Sequence, residues 1–413
     1  MNPNSPTLIG PFTQLVTLSS LPNSGPISDN QLHIIPNAGI IVHKDNIIDI
    51  QSYNSLKHKH PNKHVIDFPA VALPGFVDCH THICYAGSRA SEYALRVSGK
   101  NYQDIAANGG GILNTVKSTR EASKEKLIEL TLQKTKKLLE HGITTCEVKS
   151  GYGLSILEEV KILEVIQTVS SLQKVHLIPT CLAAHVKPPE FASNKEYLDT
   201  LIKELFPLLK KNNLSNRIDI FVEQNAFSVE EARYYLQTAK QMGFSICLHA
   251  DQFSRGGALL AAELGALSAD HLEVSQPEDF AALAKANVIP VALPGASLGL
   301  GLPMPKARQM LDAGLALAIA SDWNPGSAPM GNLLAEAAIL GASQKLTMAE
   351  TLAGITIRAA RALELQDRGS LEIGKRADLV IFPCTDYREI LYNQGSLMPY
   401  CLEKLCTHSL HPY

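Results

Sequence analysis

Through the middle of the chain, short apolar or β-branched runs alternate with amphipathic stretches of helical length. The runs occupy residues 75–82, 144–149, 175–185, 218–223, 245–249, 266–271, 288–293 and 315–322, eight in all. Between them apolar residues recur on one helical face, as with Leu198, Leu201, Ile202 and Leu205. Gly142, Gly243, Gly265 and Gly314 each stand between a helical stretch and the next run, where a helix stop belongs. Strands alternating with helices predict a parallel sheet. Eight such units predict an α/β fold, a (β/α)₈ TIM-type barrel with its reactive groups at the C-terminal ends of the strands. An open, Rossmann-like sheet would require a glycine-rich first turn. Gly109-Gly110-Gly111 follows no strand directly and lacks a following Lys-Ser/Thr, so it reads as a flexible loop.

The flanks have another texture. Residues 1 to about 68 hold short runs at 33–35, 38–43 and 46–50, separated by Asn, Asp and Pro turns, and residues 369–382 again read as turn and strand. Two β-rich ends around one barrel predict a second, smaller, discontinuous β-sandwich domain built from both chain ends. The expected division is 1–68 plus 368–413 for that domain and 69–367 for the barrel. The tail after Gly395 is irregular and contains cysteines.

Composition narrows the function. With 45% hydrophobic and 19% charged residues the chain is ordinarily globular. Its net charge of −3 offers no field for nucleic acid. No basic-then-apolar leader precedes Pro11, and no apolar run reaches membrane-spanning length, so the expectation is a cytoplasmic protein without a membrane partner. Eight cysteines form no CxxC pair. Four of them, Cys79, Cys146, Cys181 and Cys247, fall inside strand-like runs and read as buried free thiols.

The chemistry gathers at strand ends. In Asp78-Cys79-His80-Thr81-His82, residues i and i+2 of a strand share a side, so His80 and His82 can face one metal. Such a pair alone is a weak signal. Of fourteen histidines, however, His80, His82, His185, His249 and His271 all end predicted barrel strands. His58, His60, His64, His141, His408 and His411 fall elsewhere and read as solvated. His80, His82, His249 and a carboxylate from Asp322 make three imidazoles and one oxygen, a set suited to zinc or iron. Asp322 could instead cap the next helix, a role open equally to Asn324 or Ser327. Glu147 and Lys149 can pair with each other inside the barrel mouth.

The order of these motifs, with the closing Gly369-Ser370-Leu371-Glu372-Ile373-Gly374-Lys375-Arg376-Ala377-Asp378-Leu379-Val380 segment, resembles the amidohydrolase superfamily. Within it the chain resembles the imidazolonepropionase family over roughly residues 38 to 395. Ala86-Gly87-Ser88-Arg89, Asn108-Gly109-Gly110-Gly111-Ile112, Glu147-Val148-Lys149-Ser150-Gly151-Tyr152-Gly153-Leu154, His249-Ala250-Asp251-Gln252 and Ser321-Asp322-Trp323-Asn324-Pro325-Gly326-Ser327 carry that narrower likeness. The resemblance implies hydrolysis of 4-imidazolone-5-propanoate to N-formimidoyl-L-glutamate, in histidine degradation, with one divalent or trivalent ion, zinc or iron. It implies Asp322 as proton carrier as well as ligand, and His271 and His185 as catalytic groups. It places Arg89 on the substrate's propionate, and Tyr152, His185, Gln252, Asn324, Gly326 and Ser327 around the rest. Gln252 cannot act as the base that an acid at this position would supply. Barrels of this kind also imply a homodimer. The alternative is another cyclic amidase or an aminohydrolase of a pyrimidine, purine or triazine, which would share the ligands and differ in the pocket. A catalytically dead relative would lack a ligand, and none is missing.

Overall fold

The computed structural model describes residues 5–60, 62–99 and 110–400. Met1 to Asn4, Asn108 and Gly109 of the glycine-rich motif, and most of the tail after Gly395, with Cys401, Cys406, His408 and His411, lie outside the described residues. Five strands precede the barrel: β1 (Thr7–Val16), β2 (Ile34–His43), β3 (Asn46–Ser52), β4 (Lys63–Val65) and β5 (Val71–Pro74). The barrel strands are β6 (Phe76–Asp78), β7 (Ile143–Lys149), β8 (His176–Ala184), β9 (Arg217–Val222), β10 (Ser245–Ala250), β11 (Ser268–His271), β12 (Ile289–Ala292) and β13 (Ala318–Ile319). A last strand, β14 (Leu379–Phe382), follows.

Each of the eight apolar runs overlaps one barrel strand, and neighbours pair in parallel in the order β13-β12-β11-β10-β9-β8-β7-β6. The ring is joined beyond the last strand: Thr81 bridges Trp323, the His82 amide donates to the Trp323 carbonyl at 3.0 Å, and the Asp322 amide donates to the His80 carbonyl at 3.0 Å. Those bonds hold the first and eighth strand ends together where four of the expected site residues sit.

The helices form for ordinary reasons. Ser155 accepts from the Glu158 amide at the start of Ile156–Leu172, which buries Ile162, Leu163, Val165, Ile166 and Val169 against the barrel. Ser228 and Glu231 make a capping box for Val229–Gln241. The expected face at 198–205 is present: Leu198, Leu201 and Leu205 are buried where Asn194–Thr200 runs into a π-helical turn, Leu201–Leu205.

The barrel interior is partly ionic. Strand alternation on β7 turns Glu147 and Lys149 to one side and Cys146 and Val148 to the other, and β9 separates Arg217 and Asp219 from Ile218 and Ile220 in the same way. All these residues are buried, so both faces of the strands are dry and the charged side must satisfy itself.

The second domain is one mixed sheet of six strands, ordered β14-β5-β1-β2-β3, with β4 also on β1. β1 pairs β4 along its first half and β5 along its second, dividing at a bulge between Ile9 and Phe12. The divided sheet wraps a core of its own that includes Phe12, Leu15, Ile40, Ile47, Ala72 and Ile381. Both chain ends thus meet in one sheet. β1 is the inner strand that joins them, paired to β2 on one side and to β4 and then β5 on the other. Val71–Pro74 belongs to this sheet, so it extends past residue 68, and only Gly75 separates it from the barrel.

Gly142 lies at the seam between the two domains. Its backbone is left-handed (φ 82°), its carbonyl accepts from the Phe76 amide at 2.9 Å, and an added Cβ would lie 2.6 Å from Cγ2 of Val380. Gly142→Ala is expected to destabilise by about 1–2 kcal/mol from backbone conformation alone, with the clash added. Pairing it with Val380→Ala should recover only the clash. Urea unfolding midpoints of the three proteins check this, and a Gly142→Ala midpoint equal to wild type would refute it.

Candidate metal centre and substrate pocket

At the mouth of the barrel His80, His82, His249 and Asp322 converge. Nε2 of His82 lies 3.2 Å from Nε2 of His80 and 3.4 Å from Nε2 of His249. Oδ1 of Asp322 is 3.5 Å from Nε2 of His80 and 3.3 Å from Nε2 of His82. A tetrahedral ion with bonds of about 2.0–2.1 Å needs ligand atoms about 3.3 Å apart, so the spacing fits such an ion. The donor chemistry fits too. Three imidazole nitrogens face one another and a single carboxylate, an arrangement that hydrogen bonds among neutral rings cannot satisfy.

The far side of the rings is anchored. Nδ1 of His80 is 2.7 Å from Oδ2 of Asp270, and Nδ1 of His249 is 3.0 Å from Oδ2 of Asp219. Asp270 accepts the Nδ1 proton of His80, and Asp219 stands against Nδ1 of His249 as an ion-pair partner, so Nε2 of each ring is left to point at the centre. Burial and Lys149 push the His80 pKa down, but Asp270 and Asp322 outweigh them and raise it to about 9. Burial lowers His82 to about 3. Burial works against the Asp322 carboxylate, yet His80 and His82 hold it well below the usual range.

Two residues are aimed by left-handed backbone. Asp270 and His271 are consecutive and would point to opposite faces of β11, but His271 (φ 85°) turns back, placing its ring centroid 5.4 Å from that of His249. Asp322 adopts φ 53°. Such conformations in non-glycine residues cost of the order of 1–3 kcal/mol each and persist where the surroundings enforce them. Nδ1 of His271 is 3.4 Å from Oε1 of Glu273, another buried acid.

The remaining expected residues surround this centre. The His185 ring stacks on His82, with centroids 5.5 Å apart, and its Nδ1 donates to the Gly151 carbonyl at 3.2 Å, leaving Nε2 free. Tyr152 is buried with its ring 6.0 Å from His82 and 5.7 Å from His185; burial pushes its pKa up, so the hydroxyl stays protonated. Its turn is not held by Tyr152 itself. Glu159 accepts from the amides of Gly151, Gly153 and Leu154 at 3.0, 2.7 and 2.8 Å.

Arg89 is mostly buried, and its Nε and Nη2 donate to Oε2 of Glu92 at 2.9 and 2.7 Å. Its Nη1 faces Gly326 so closely that a Cβ there would lie 2.2 Å away. Asn324 donates to the Asp322 carbonyl and to Oγ of Ser327, while its Oδ1 accepts from the amides of Gly326 and Ser327. Its amide group therefore builds the loop that carries Gly326 and Ser327. Oγ of Ser327 is 3.3 Å from Oδ2 of Asp322, and Gln252 is buried two residues beyond the end of β10. Asn332, not Asp322, caps the following helix.

Sequence reasoning missed Asp219, Asp270, Glu273, Glu92 and Glu159. For the first two a signal existed, since an acid inside an otherwise apolar strand has to find a buried partner. Glu92, three residues after Arg89, and Glu273, two after His271, had only that short spacing to point to them, and Glu159 depends on a loop path that no local pattern encodes.

Residues 71–396 match the model of the Amidohydrolase family. An imidazolonepropionase from Fusobacterium nucleatum subsp. nucleatum is 43% identical over 388 residues, 92% of this chain and 93% of that protein. One from Symbiobacterium thermophilum is 45% identical over 341 residues, 81% of this chain and 80% of its own length. In overall shape the chain is similar to a triazine hydrolase variant (TM-score 0.70, 16% identity, covering 92% of this chain and 88% of that one). It is also similar to an adenosine deaminase from Xanthomonas campestris solved with bound zinc (TM-score 0.69, 18% identity, covering 95% and 89%). The solved structures share the overall fold of this chain at low identity, whereas the long, high-identity matches are to one kind of protein: the chain belongs to the imidazolonepropionases of the amidohydrolase family.

Proposed function

We propose that this protein opens the ring amide of 4-imidazolone-5-propanoate to give N-formimidoyl-L-glutamate, the third step of histidine degradation, at the centre formed by His80, His82, His249 and Asp322. The observation that carries the reading is the approach of ligand atoms of His80, His82 and Asp322 to within 4.8 Å of one another, with Nε2 of His249 3.4 Å from that of His82, beside a loop whose Gly326 meets Nη1 of Arg89. Charge supports a single divalent ion, zinc or ferrous iron. Among the described residues, the connected buried cluster sets the carboxylates of Glu147, Asp219, Asp270 and Asp322 against Lys149 and Arg217, leaving two negative charges when the imidazoles are neutral.

When bound, such an ion would acidify water to a nucleophile near neutral pH. The protein's own groups do the rest. Oδ2 of Asp322 takes the proton of the attacking water and passes it to the ring nitrogen as the C–N bond breaks and the new C–O bond makes the carboxylate. His271, turned into the mouth with Glu273 behind it, donates to the developing oxyanion. Nη1 of Arg89 binds the propionate, while Glu92 holds the guanidinium in orientation. The hydroxyl of Tyr152 and Nε2 of His185 meet the ring, and the Gly326–Ser327 backbone and Gln252 close the remaining wall. With glutamine at 252, proton transfer falls to Asp322 and His271. A cytoplasmic homodimer completes the reading, and sedimentation gives its mass.

The decisive assay follows loss of imidazolone ultraviolet absorbance with metal-loaded and chelated protein. Loaded protein should consume the substrate rapidly and chelated protein should not. Metal-loaded protein that leaves the imidazolone intact while hydrolysing a pyrimidine or triazine would assign it to the other branch. Arg89→Ala should raise KM by about 10- to 100-fold, the range of a lost charged hydrogen bond of about 1.5–3 kcal/mol. Gly326→Ala should act the same way by displacing Nη1. If both variants keep wild-type KM, Arg89 does not bind the propionate.

A further inference from the structure

Behind the four ligand atoms lies a second group able to hold a cation. Donor atoms of His80, Glu147 and Asp270 lie within 4.8 Å of one another, all buried. The cation among them is part of the chain. Nζ of Lys149 is 2.8 Å from Oδ2 of Asp219, 2.9 Å from Oε2 of Glu147 and 3.4 Å from Oδ2 of Asp270, and the side chain has no solvent exposure. Two of these contacts matter beyond charge balance. Oδ2 of Asp219 is the atom beside His249, and Oδ2 of Asp270 is the atom beside His80. One ammonium therefore ties together the two carboxylates that orient two different imidazoles from two different strands. Glu147 is itself held by Thr180 and lies 3.5 Å from Nε of Arg217, so the ammonium has a fixed third support.

We propose that Lys149 is a positioning residue that serves as the built-in second cation of this centre. It locks Asp219 and Asp270 behind His249 and His80, and by filling the acid-lined space it keeps the centre mononuclear. The physical reason is repulsion. Without the ammonium, Glu147, Asp219 and Asp270 become like charges crowded in a dry interior, and they would separate, protonate or recruit an external cation. Any of those changes takes the Nδ1 acceptor away from a ligand ring. Outer partners of this kind are worth roughly 10- to 100-fold in metal affinity. Lys149 reaches no part of the pocket, so its effect belongs in kcat and metal retention, not in KM.

This inference rests on the ligand set proposed above. Lys149→Met keeps an unbranched side chain one atom shorter and removes the charge. The purified holoprotein should lose metal to a chelator about 10- to 100-fold faster than wild type, with kcat lowered and KM for the imidazolone little changed. In Lys149→Ala, either slow release should return with methylammonium, or excess zinc should leave a second retained equivalent after gel filtration. Folded Lys149→Met that releases metal at the wild-type rate overturns the proposal. So does Lys149→Ala that shows neither effect. If Lys149→Met does not accumulate, Lys149→Ala purified with methylammonium and then dialysed gives the same reading: loss of metal supports the role and retention refutes it. The two failures are distinguishable, because a wrong ligand set shows as wild-type protein that retains no metal, which overturns both readings.

Discussion

The ion pairs joining Lys149 to Glu147, Asp219 and Asp270 lie inside the barrel without contact with water. Taking such groups out of solvent costs several kcal/mol per ion, and mutual attraction repays it only when every partner is in place. Burial alone would push the Lys149 pKa down, yet the surrounding carboxylates hold it well above the ordinary value; Asp219, which burial would raise, is held well below by His249 and Lys149. The cluster is therefore all or nothing. Its carboxylates contact strands β7, β9 and β11 and the histidines of the first and fifth strand ends, so the geometry of the mouth is inherited from charges several residues deeper.

Above that layer, the mouth is shaped by backbone. Left-handed residues at His271 and Asp322 re-aim side chains that plain strand alternation would send elsewhere. The Asp322–Ser327 loop spends the side chain of Asn324 on its own turn, which leaves Gly326 without a side chain where Arg89 approaches. Glu92 and Glu159 do comparable work on neighbouring loops, one holding a guanidinium and the other holding three amides below Tyr152. Acids that touch no ligand thus fix the groups that would.

How far this was readable in advance differs from element to element. The eight strands could be located because both faces of each are buried, which concentrates apolar residues into short runs that helices cannot mimic. His80, His82 and His249 could be grouped because a barrel delivers strand ends to one place whatever lies between them in the chain. The pairing of Glu147 with Lys149 could be expected from their spacing on one strand. Their link to Asp219 and Asp270 could not, because it depends on the rotation of three strands about the barrel axis. Strand β1 also escaped notice, since its apolar residues straddle a bulge that interrupts the alternation.

Local sequence, then, determined the alternation of strand and helix, the capped starts of the helices, and which residue types stand at the strand ends. Those features arise from interactions among residues a few positions apart, which a linear chain displays directly. Tertiary structure alone decided which nitrogen of each histidine faces the centre, which acid stands behind it, and which edge of Arg89 remains free. For His80 and His249 those partners lie tens to hundreds of residues away, at distances and directions that exist only once the barrel has closed; Arg89 is held by Glu92 three residues on, but its remaining edge meets Gly326 only in the folded barrel.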